Sequence, residues 1–183
     1  SHTSLNLARS LSFSNKKVLI IETDIRVPKL NKYMGVENKT GLGLTNYIVD
    51  DKINFTDIIN NVDENLDMIS SGTIPPNPAE LLMDEKLEVL FNAVKNKYDY
   101  IIVDTAAVGL VTDTLLISKF ADMVIYVVRA NYLDKRQLHV AQSMYDEKRL
   151  PNMVTLLNGV IHKRGYGYGY GESPKKKRRL FAK

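Results

Sequence analysis

Residues 18–26 have the sequence VLIIETDIR, a short apolar run followed at once by acidic and polar residues. A second stretch of the same kind, YIIVDTA, occupies residues 100–106. Short runs rich in β-branched residues are typical of strands buried in a parallel sheet. Because ligands of an open parallel sheet bind beyond the carboxyl ends of its strands, Glu22, Asp24 and Asp104 are the first candidates for a functional site.

Three more runs have strand character, at residues 66–69, 123–128 and 154–157, and amphipathic segments separate most of the five. Strands that alternate with helices indicate an α/β domain. Helices are predicted near residues 3–13 and 135–148. We therefore predict a three-layer α/β/α sandwich with a mainly parallel sheet.

The best-marked helix of the sequence begins at Asn77. Asn77 can cap it, Pro78 suits its first position, and Glu80 can close a capping box. One apolar stripe continues the pattern, formed by Leu87, Leu90, Phe91 and Val94. A single helix from Asn77 to about Val94 is predicted.

The composition limits the classes of site. The chain has 183 residues, which suits one domain, and it has no cysteine, which excludes disulfides and cysteine-bound metals. Its three histidines, His2, His139 and His162, lack the spacing of a zinc site, whereas magnesium bound by oxygen ligands stays open. Since no run of eighteen apolar residues and no signal-peptide profile occurs, we expect a soluble chain.

The last part of the chain has a different composition. It contains GYGYGYG at residues 165–171 and KKKRR at residues 175–179, and residues 162–183 carry eight lysines and arginines against one acid. Such a segment cannot bury a core. We predict a folded domain over residues 1–164 and a flexible tail over residues 165–183.

Three motifs resemble those of the bacterial tyrosine kinases, in the same order: IETDIRVP at residues 21–28, PPNPAELL at residues 75–82 and IIVDTA at residues 101–106. They correspond to the family's Walker A′ motif, the segment before a central helix, and the Walker B motif. These kinases are relatives of the MinD/ParA-type P-loop ATPases and are associated with capsule and exopolysaccharide export. The resemblance implies ATP and Mg²⁺ as cofactors.

By this resemblance Asp24 lies beside the magnesium ion and the attacking hydroxyl, and Asp104 holds a metal-bound water. Glu22 takes the place of the family's first aspartate. Its side chain is one methylene longer, so it could still reach a metal-bound water but from a different position. The guanidinium fork of Arg26 can hold a carboxylate or a phosphate, and a structural ion pair fits it equally well.

Four more residues correspond to positions of the family pattern. Ser1 matches the hydroxyl that binds magnesium after the phosphate loop; the glycines and lysine of that loop would precede Ser1, and without them we expect poor ATP binding. Thr105 either holds the γ-phosphate or caps a helix. Asn158 either contacts the adenine edge or forms a turn before Gly159. For Asp113 a helix cap is predicted.

The tail tyrosines Tyr166, Tyr168 and Tyr170 stand between glycines, so their hydroxyls can enter a neighbouring subunit's site. In the family such tyrosines are phosphorylated in trans within a ring of identical subunits, and the added charge dissolves the ring. A low-complexity linker is the alternative. Because stacking aromatics do not interleave Lys175–Arg179, this basic run favours an anionic membrane surface over nucleic acid; a run that only keeps the tail soluble is the other alternative.

Taken as a whole, the resemblance implies a protein-tyrosine kinase that phosphorylates its own tail. It would act at the cytoplasmic face of the inner membrane, together with a membrane-spanning activator. Two other functions fit the same residues: a MinD/ParA-type ATPase switch, and a non-catalytic scaffold of a polysaccharide export complex. The scaffold is suggested by Glu22 and Ala106, where the family usually has aspartate and proline. Detection of phosphate on the tail tyrosines would distinguish the kinase from the other two functions.

Overall fold

The computed structural model describes residues 1–35, 41–107 and 112–160, and the predicted tail lies outside these ranges. The helices are α1 (His2–Ser12), α2 (Leu30–Met34), α3 (Leu44–Val49), α4 (Pro78–Leu81), α5 (Glu85–Val94), α6 (Asp113–Ser118) and α7 (Leu138–Asp146). The strands are β1 (Val18–Glu22), β2 (Ile59–Asp63), β3 (Leu66–Ile69), β4 (Tyr100–Asp104), β5 (Ile125–Arg129) and β6 (Val154–Asn158). Short 3₁₀ turns occupy Phe55–Ile58 and Lys135–Gln137. None of the helices in the described ranges is long and apolar enough to cross a membrane.

All five predicted strands are present, and they divide between two sheets. The main sheet has the order β2-β3-β1-β4, in which β1 runs parallel to both β3 and β4, and β5 and β6 form a separate parallel pair. Strand β2 was not predicted. It lies antiparallel to β3 at the edge of the sheet, where its polar sequence, INNVD, can face water. Within the described ranges, no strand pairs with the outer edge of β4 or with β5 on the side away from β6.

Helices cover both faces of the main sheet, as predicted for a three-layer sandwich. Strand β1 is buried along its whole length, and its residues alternate between the two faces. One core joins Val18 and Ile20 to α1 and α2, and the other joins Leu19 and Ile21 to α3, α5 and α6. The strand that bears the first acidic motif is therefore held rigidly between two apolar layers.

The helix predicted from Asn77 to about Val94 is in fact two helices, α4 and α5. The break occurs because Asp84 caps α5: its carboxylate accepts a hydrogen bond from the backbone N–H of Lys86 at 2.8 Å. Pro78 begins α4 as predicted, but the predicted capping box is absent, since Asn77 Nδ2 donates to Glu80 Oε2 at 2.6 Å. The predicted apolar stripe is buried on α5.

A tyrosine with a raised pKa lies near the amino-terminal ends of β3 and β4. The Tyr98 hydroxyl donates to Asp67 Oδ2 at 2.8 Å, and Asn61 Nδ2 donates to Asp67 Oδ1 at 3.0 Å. Partial burial, and then the hydrogen bond to this carboxylate, raise the pKa of Tyr98 well above its usual value. The folded state therefore keeps this proton at a pH at which the unfolded chain loses it.

This linkage predicts a loss of stability in alkali. A raised pKa contributes stability that is complete below the unfolded value of about 10 and disappears as the pH rises toward the folded value. The Tyr98→Phe variant should flatten that decline in urea unfolding measured between about pH 8 and about pH 11. Tyr145→Phe is the control, because Tyr145 is 60% exposed. Equal slopes for Tyr98→Phe and the unaltered protein would contradict the prediction.

Candidate active site

The two acidic strand ends lie together at one edge of the main sheet. In the parallel register of β1 and β4, Glu22 is opposite Asp104. Thr23 continues the pairing, since its backbone N–H and its Oγ1 donate to the Asp104 carbonyl at 2.8 and 3.0 Å. Asp24 follows directly. The structure thus places Asp24 and Asp104 at the same end of the sheet, where parallel α/β folds bind ligands.

Asp104 is buried, being 2% exposed, and its two oxygens have different surroundings. Oδ1 accepts a hydrogen bond from Ser4 Oγ at 2.7 Å and lies 2.9 Å from the backbone nitrogen of Ser1. Oδ2 is also buried, but it has no hydrogen-bond partner among the described residues. A buried carboxylate oxygen without a partner is costly, and a bound cation would satisfy it.

These surroundings fit a magnesium ion. Mg²⁺ is usually held by one or two carboxylates, several waters and substrate phosphates rather than by a cage of protein ligands. In the described ranges, no cluster of three or more acidic or histidine side chains forms such a cage. The open oxygen of Asp104, with Asp24 on the adjacent strand end, suits this sparse kind of coordination.

Asp24 lies in the turn that leaves β1. Its side chain is partly exposed, and its Oδ1 accepts a hydrogen bond from the Val27 backbone N–H at 3.1 Å. This turn leads directly into α2. The carboxylate is therefore oriented by its own loop while it remains accessible to a ligand at the sheet edge.

Glu22 is fully buried, and its carboxylate is held by backbone amides. Its Oε1 accepts hydrogen bonds from Lys29 and Leu30 at 2.7 and 2.6 Å, and its Oε2 accepts one from Ser71 at 3.3 Å. These bonds join the start of α2 and the end of β3 to the end of β1. The contacts are those of a structural group, and the catalytic role predicted for Glu22 stays a prediction.

Arg26 forms a bidentate ion pair with Asp113. Its Nε donates to Oδ2 at 2.6 Å and its Nη2 to Oδ1 at 3.1 Å. These hydrogen bonds raise the pKa of Arg26. Asp113 is 2% exposed and stands in the first turn of α6, after the capping residue Thr112. The cap predicted at Asp113 is therefore wrong. Arg26, for which either a carboxylate or a phosphate partner was predicted, binds the carboxylate of Asp113.

The remaining predicted site residues lie around the same edge. Ser1 precedes α1 and is close to Asp104, and Thr105 Oγ1 donates to the Ala106 carbonyl at 3.2 Å. Asn158 is exposed at the end of β6. Its Oδ1 accepts from the Gly159 N–H at 2.8 Å, as in the predicted turn, and its Nδ2 donates to Thr3 Oγ1 at 3.4 Å. The phosphoacceptor tyrosines lie outside the described residues.

Sequence analysis did not identify Ser4 as a residue of this site. The available signal was helical spacing, because Ser1 directly precedes α1 and Ser4, three residues later, lies in the first turn of that helix. The bond from Ser4 to Asp104 spans a hundred positions of sequence. Periodicity in α1 can therefore suggest which face carries Ser4, while its partner is visible only in the folded chain.

Comparisons with known proteins show which proteins this chain is similar to. The sequence profile described as an AAA domain matches residues 1–145. The tyrosine-protein kinase CpsD of Streptococcus agalactiae is 38% identical over 152 residues, which cover 78% of this chain and 63% of that protein. The chain spans only 22% of the length of longer curated relatives, among them the tyrosine-protein kinase ptk of Acinetobacter johnsonii.

Solved structures show the same fold. The kinase domain of Escherichia coli tyrosine kinase ETK superposes with a TM-score of 0.79 at 29% identity, covering 92% of this chain and 66% of that one. The septum site-determining protein MinD of Pyrococcus horikoshii, complexed with Mg-ADP, has a TM-score of 0.68 at 21% identity, over 84% of this chain and 62% of that one. The second likeness concerns the fold alone. Because the profile covers most of the chain, the chain belongs to the AAA domain family, and it is similar in sequence and fold to bacterial tyrosine-kinase domains.

Proposed function

We propose that this chain is the nucleotide-binding domain of a protein-tyrosine kinase that uses MgATP to phosphorylate tyrosines of its own tail. The observation that carries the proposal is the common sheet edge of Asp24 and Asp104, with a buried, unpartnered oxygen on Asp104. The names of the relatives support the assignment to tyrosine kinases.

In the proposed reaction, the oxygen of a tail tyrosine attacks the γ-phosphorus of ATP. A phosphorus–oxygen bond forms to tyrosine, and the bond from the γ-phosphorus to the bridging oxygen of ADP breaks. Asp24 orients the tyrosine hydroxyl and accepts its proton. The products are phosphotyrosine and ADP. Because catalysis of this transfer consists mainly of positioning and charge stabilisation, a rigid sheet edge that bears carboxylates suits it.

The cation site would be formed by Asp104 and Asp24, with Ser1 beside them. When bound, Mg²⁺ offsets the negative charge of the β- and γ-phosphates. Arg26 acts on the geometry of the site, since its ion pair with Asp113 ties the loop after β1 to the start of α6. Thr105 and Asn158 are proposed to contact the γ-phosphate and the adenine edge.

The wider biological role belongs to the same proposal. Tyr166, Tyr168 and Tyr170 are the proposed acceptors, phosphorylated in trans within a ring of identical subunits. The kinase would regulate capsule or exopolysaccharide synthesis at the cytoplasmic face of the membrane, with a membrane-spanning activator. Lys175–Arg179 would contact anionic lipid there.

The test is mass spectrometry of the tail after incubation of the full-length protein with MgATP. We expect phosphate on Tyr166, Tyr168 or Tyr170, and none in the Asp24→Asn variant. Release of ADP without phosphotyrosine would instead identify an ATPase switch of the MinD type. A protein that neither releases ADP nor gains phosphate would be a scaffold, and either result would overturn the proposal.

A further inference from the structure

We propose that Ser4 is a positioning residue for the cation site. By holding Asp104 Oδ1, it leaves Oδ2 free and correctly directed for a divalent cation. The inference rests on the proposed function, because it assigns a role to Ser4 in the same site. It does not depend on the identity of the phosphate acceptor.

The contact between Ser4 and Asp104 has the geometry of a strong hydrogen bond. The distance from Ser4 Oγ to Asp104 Oδ1 is 2.7 Å, which is typical of a hydroxyl that donates to an ionised carboxylate. An ionised carboxylate has no proton to donate, so the hydroxyl must supply it. Ser4 therefore engages one of the two oxygens of Asp104 in a defined direction.

The position of the hydroxyl is fixed by the packing of α1. Leu5 and Ala8 of this helix are 3% and 0% exposed, and they lie in the same core as Val18 and Ile20 of β1. Helix α1 contacts both β1 and β4. Because the helix is packed on the sheet, Ser4 cannot follow Asp104 if that side chain rotates, and the bond acts as a fixed restraint.

Ser4 and the backbone nitrogen of Ser1 both lie against Oδ1 of Asp104, and Oδ2 has no partner among the described residues. A carboxylate that is free to rotate would present either oxygen to a cation and would lose orientational freedom on binding. With Oδ1 engaged, the buried Oδ2 is already oriented. Groups that hydrogen-bond to a metal-binding carboxylate in this way commonly change metal affinity by about 10- to 100-fold when they are removed.

The test compares two variants of nearly the same shape, Ser4→Thr and Ser4→Val, in the full-length protein. Mn²⁺ is the probe, and its free concentration is measured by electron paramagnetic resonance in the presence of ADP. We expect Ser4→Val to weaken Mn²⁺ binding by about tenfold. Ser4→Thr, which keeps a hydroxyl, should stay within about threefold of the unaltered protein. The affinity for ADP without metal should be equal in all three proteins.

Ser12→Ala is the matched control on the same helix. Its hydroxyl is also largely buried, and it donates to the Arg9 carbonyl at 2.9 Å, two helical turns away from Ser4. This variant should bind Mn²⁺ normally even if it melts at a lower temperature. Thermal unfolding followed by circular dichroism shows whether each variant is folded, and Ser4→Ala replaces Ser4→Val if the branched side chain disturbs α1.

The possible results separate this inference from the proposed function. If the unaltered protein binds Mn²⁺ with ADP and the Val and Thr variants bind it equally well, the role of Ser4 is overturned and the kinase proposal stands. If the unaltered protein binds no Mn²⁺ in the presence of ADP, both proposals are overturned. A loss in Ser4→Val that Ser4→Thr restores supports the positioning role.

Discussion

Asp104→Asn should lower tyrosine phosphorylation by the full-length protein by about 100-fold or more, a loss typical of removing a preorganised electrostatic group. Asparagine has the shape of aspartate and can keep an acceptor for Ser4, but it removes the negative charge of the buried oxygen that has no other partner. Binding of Mn²⁺ in the presence of ADP should weaken in parallel. Phosphotyrosine in the tail, measured by mass spectrometry at successive times, gives the rate.

A matched control lies next to the other end of β4. Asp99 directly precedes β4 at its other end, and its Oδ2 accepts a hydrogen bond from the Lys17 backbone N–H at 2.8 Å. Asp99→Asn should leave both phosphorylation and Mn²⁺ binding unchanged. If Asp104→Asn phosphorylated the tail at the rate of this control, Asp104 would have no part in the reaction.

Asp24→Asn should lower phosphorylation and Mn²⁺ binding in different proportions from Asp104→Asn. A group that accepts the proton of the attacking hydroxyl contributes about 10²- to 10⁴-fold to the rate, with a smaller effect on the binding of metal and nucleotide. We therefore expect Asp24→Asn to lose phosphorylation while it retains more of its Mn²⁺ affinity than Asp104→Asn. Equal losses of Mn²⁺ binding in both variants would assign Asp24 to the metal alone.

Glu22→Ala should destabilise the domain by on the order of 2 to 6 kcal/mol, because two buried N–H groups would lose their partner and each such group costs about 1–3 kcal/mol. The backbone N–H groups of Leu30 and Ser71 would lose their acceptor in buried surroundings, and that of Lys29 in partly buried ones. Small domains have only about 5–15 kcal/mol of stability in total. Urea unfolding followed by circular dichroism measures the loss.

Two variants control this prediction. Glu64→Ala removes an exposed glutamate from the turn between β2 and β3 and should change stability little. Glu22→Gln keeps one acceptor oxygen and should fall between Glu22→Ala and the unaltered protein. A loss below about 1 kcal/mol in Glu22→Ala would show that the amides find other partners. If Glu22→Gln folds and phosphorylates its tail normally, the predicted catalytic role of Glu22 is wrong.

This chain shares its fold with MinD, while the kinase relatives share more of its sequence. A common sheet edge with two acids serves either reaction. What distinguishes the two proposals chemically is the acceptor of the phosphoryl group, water in one case and a tail tyrosine in the other. The tail experiment therefore discriminates between them more sharply than any change in the core.

Five of the six strands in the described residues, and the acids that end two of them, could be predicted from the sequence. Apolar runs that end in Glu22 and Asp104 belong to parallel strands, and parallel strands present their carboxyl ends at the same sheet edge. The order of apolar and acidic residues in each strand was therefore enough to predict that Glu22 and Asp104 lie close together. It also sufficed for the buried stripe of α5, because helical periodicity is a property of neighbouring residues.

The long-range partners of the polar groups depend on the folded chain and could not be predicted from the sequence. The bond from Ser4 to Asp104 spans a hundred positions, and that from Arg26 to Asp113 spans 87. The amides that hold Glu22 come from α2 and from the end of β3. Such pairs have no local signature, since a carboxylate accepts any donor that packing brings within about 3 Å. Because of this packing, backbone amides hold the carboxylate of Glu22, whereas Oδ2 of Asp104 has no partner among the described residues.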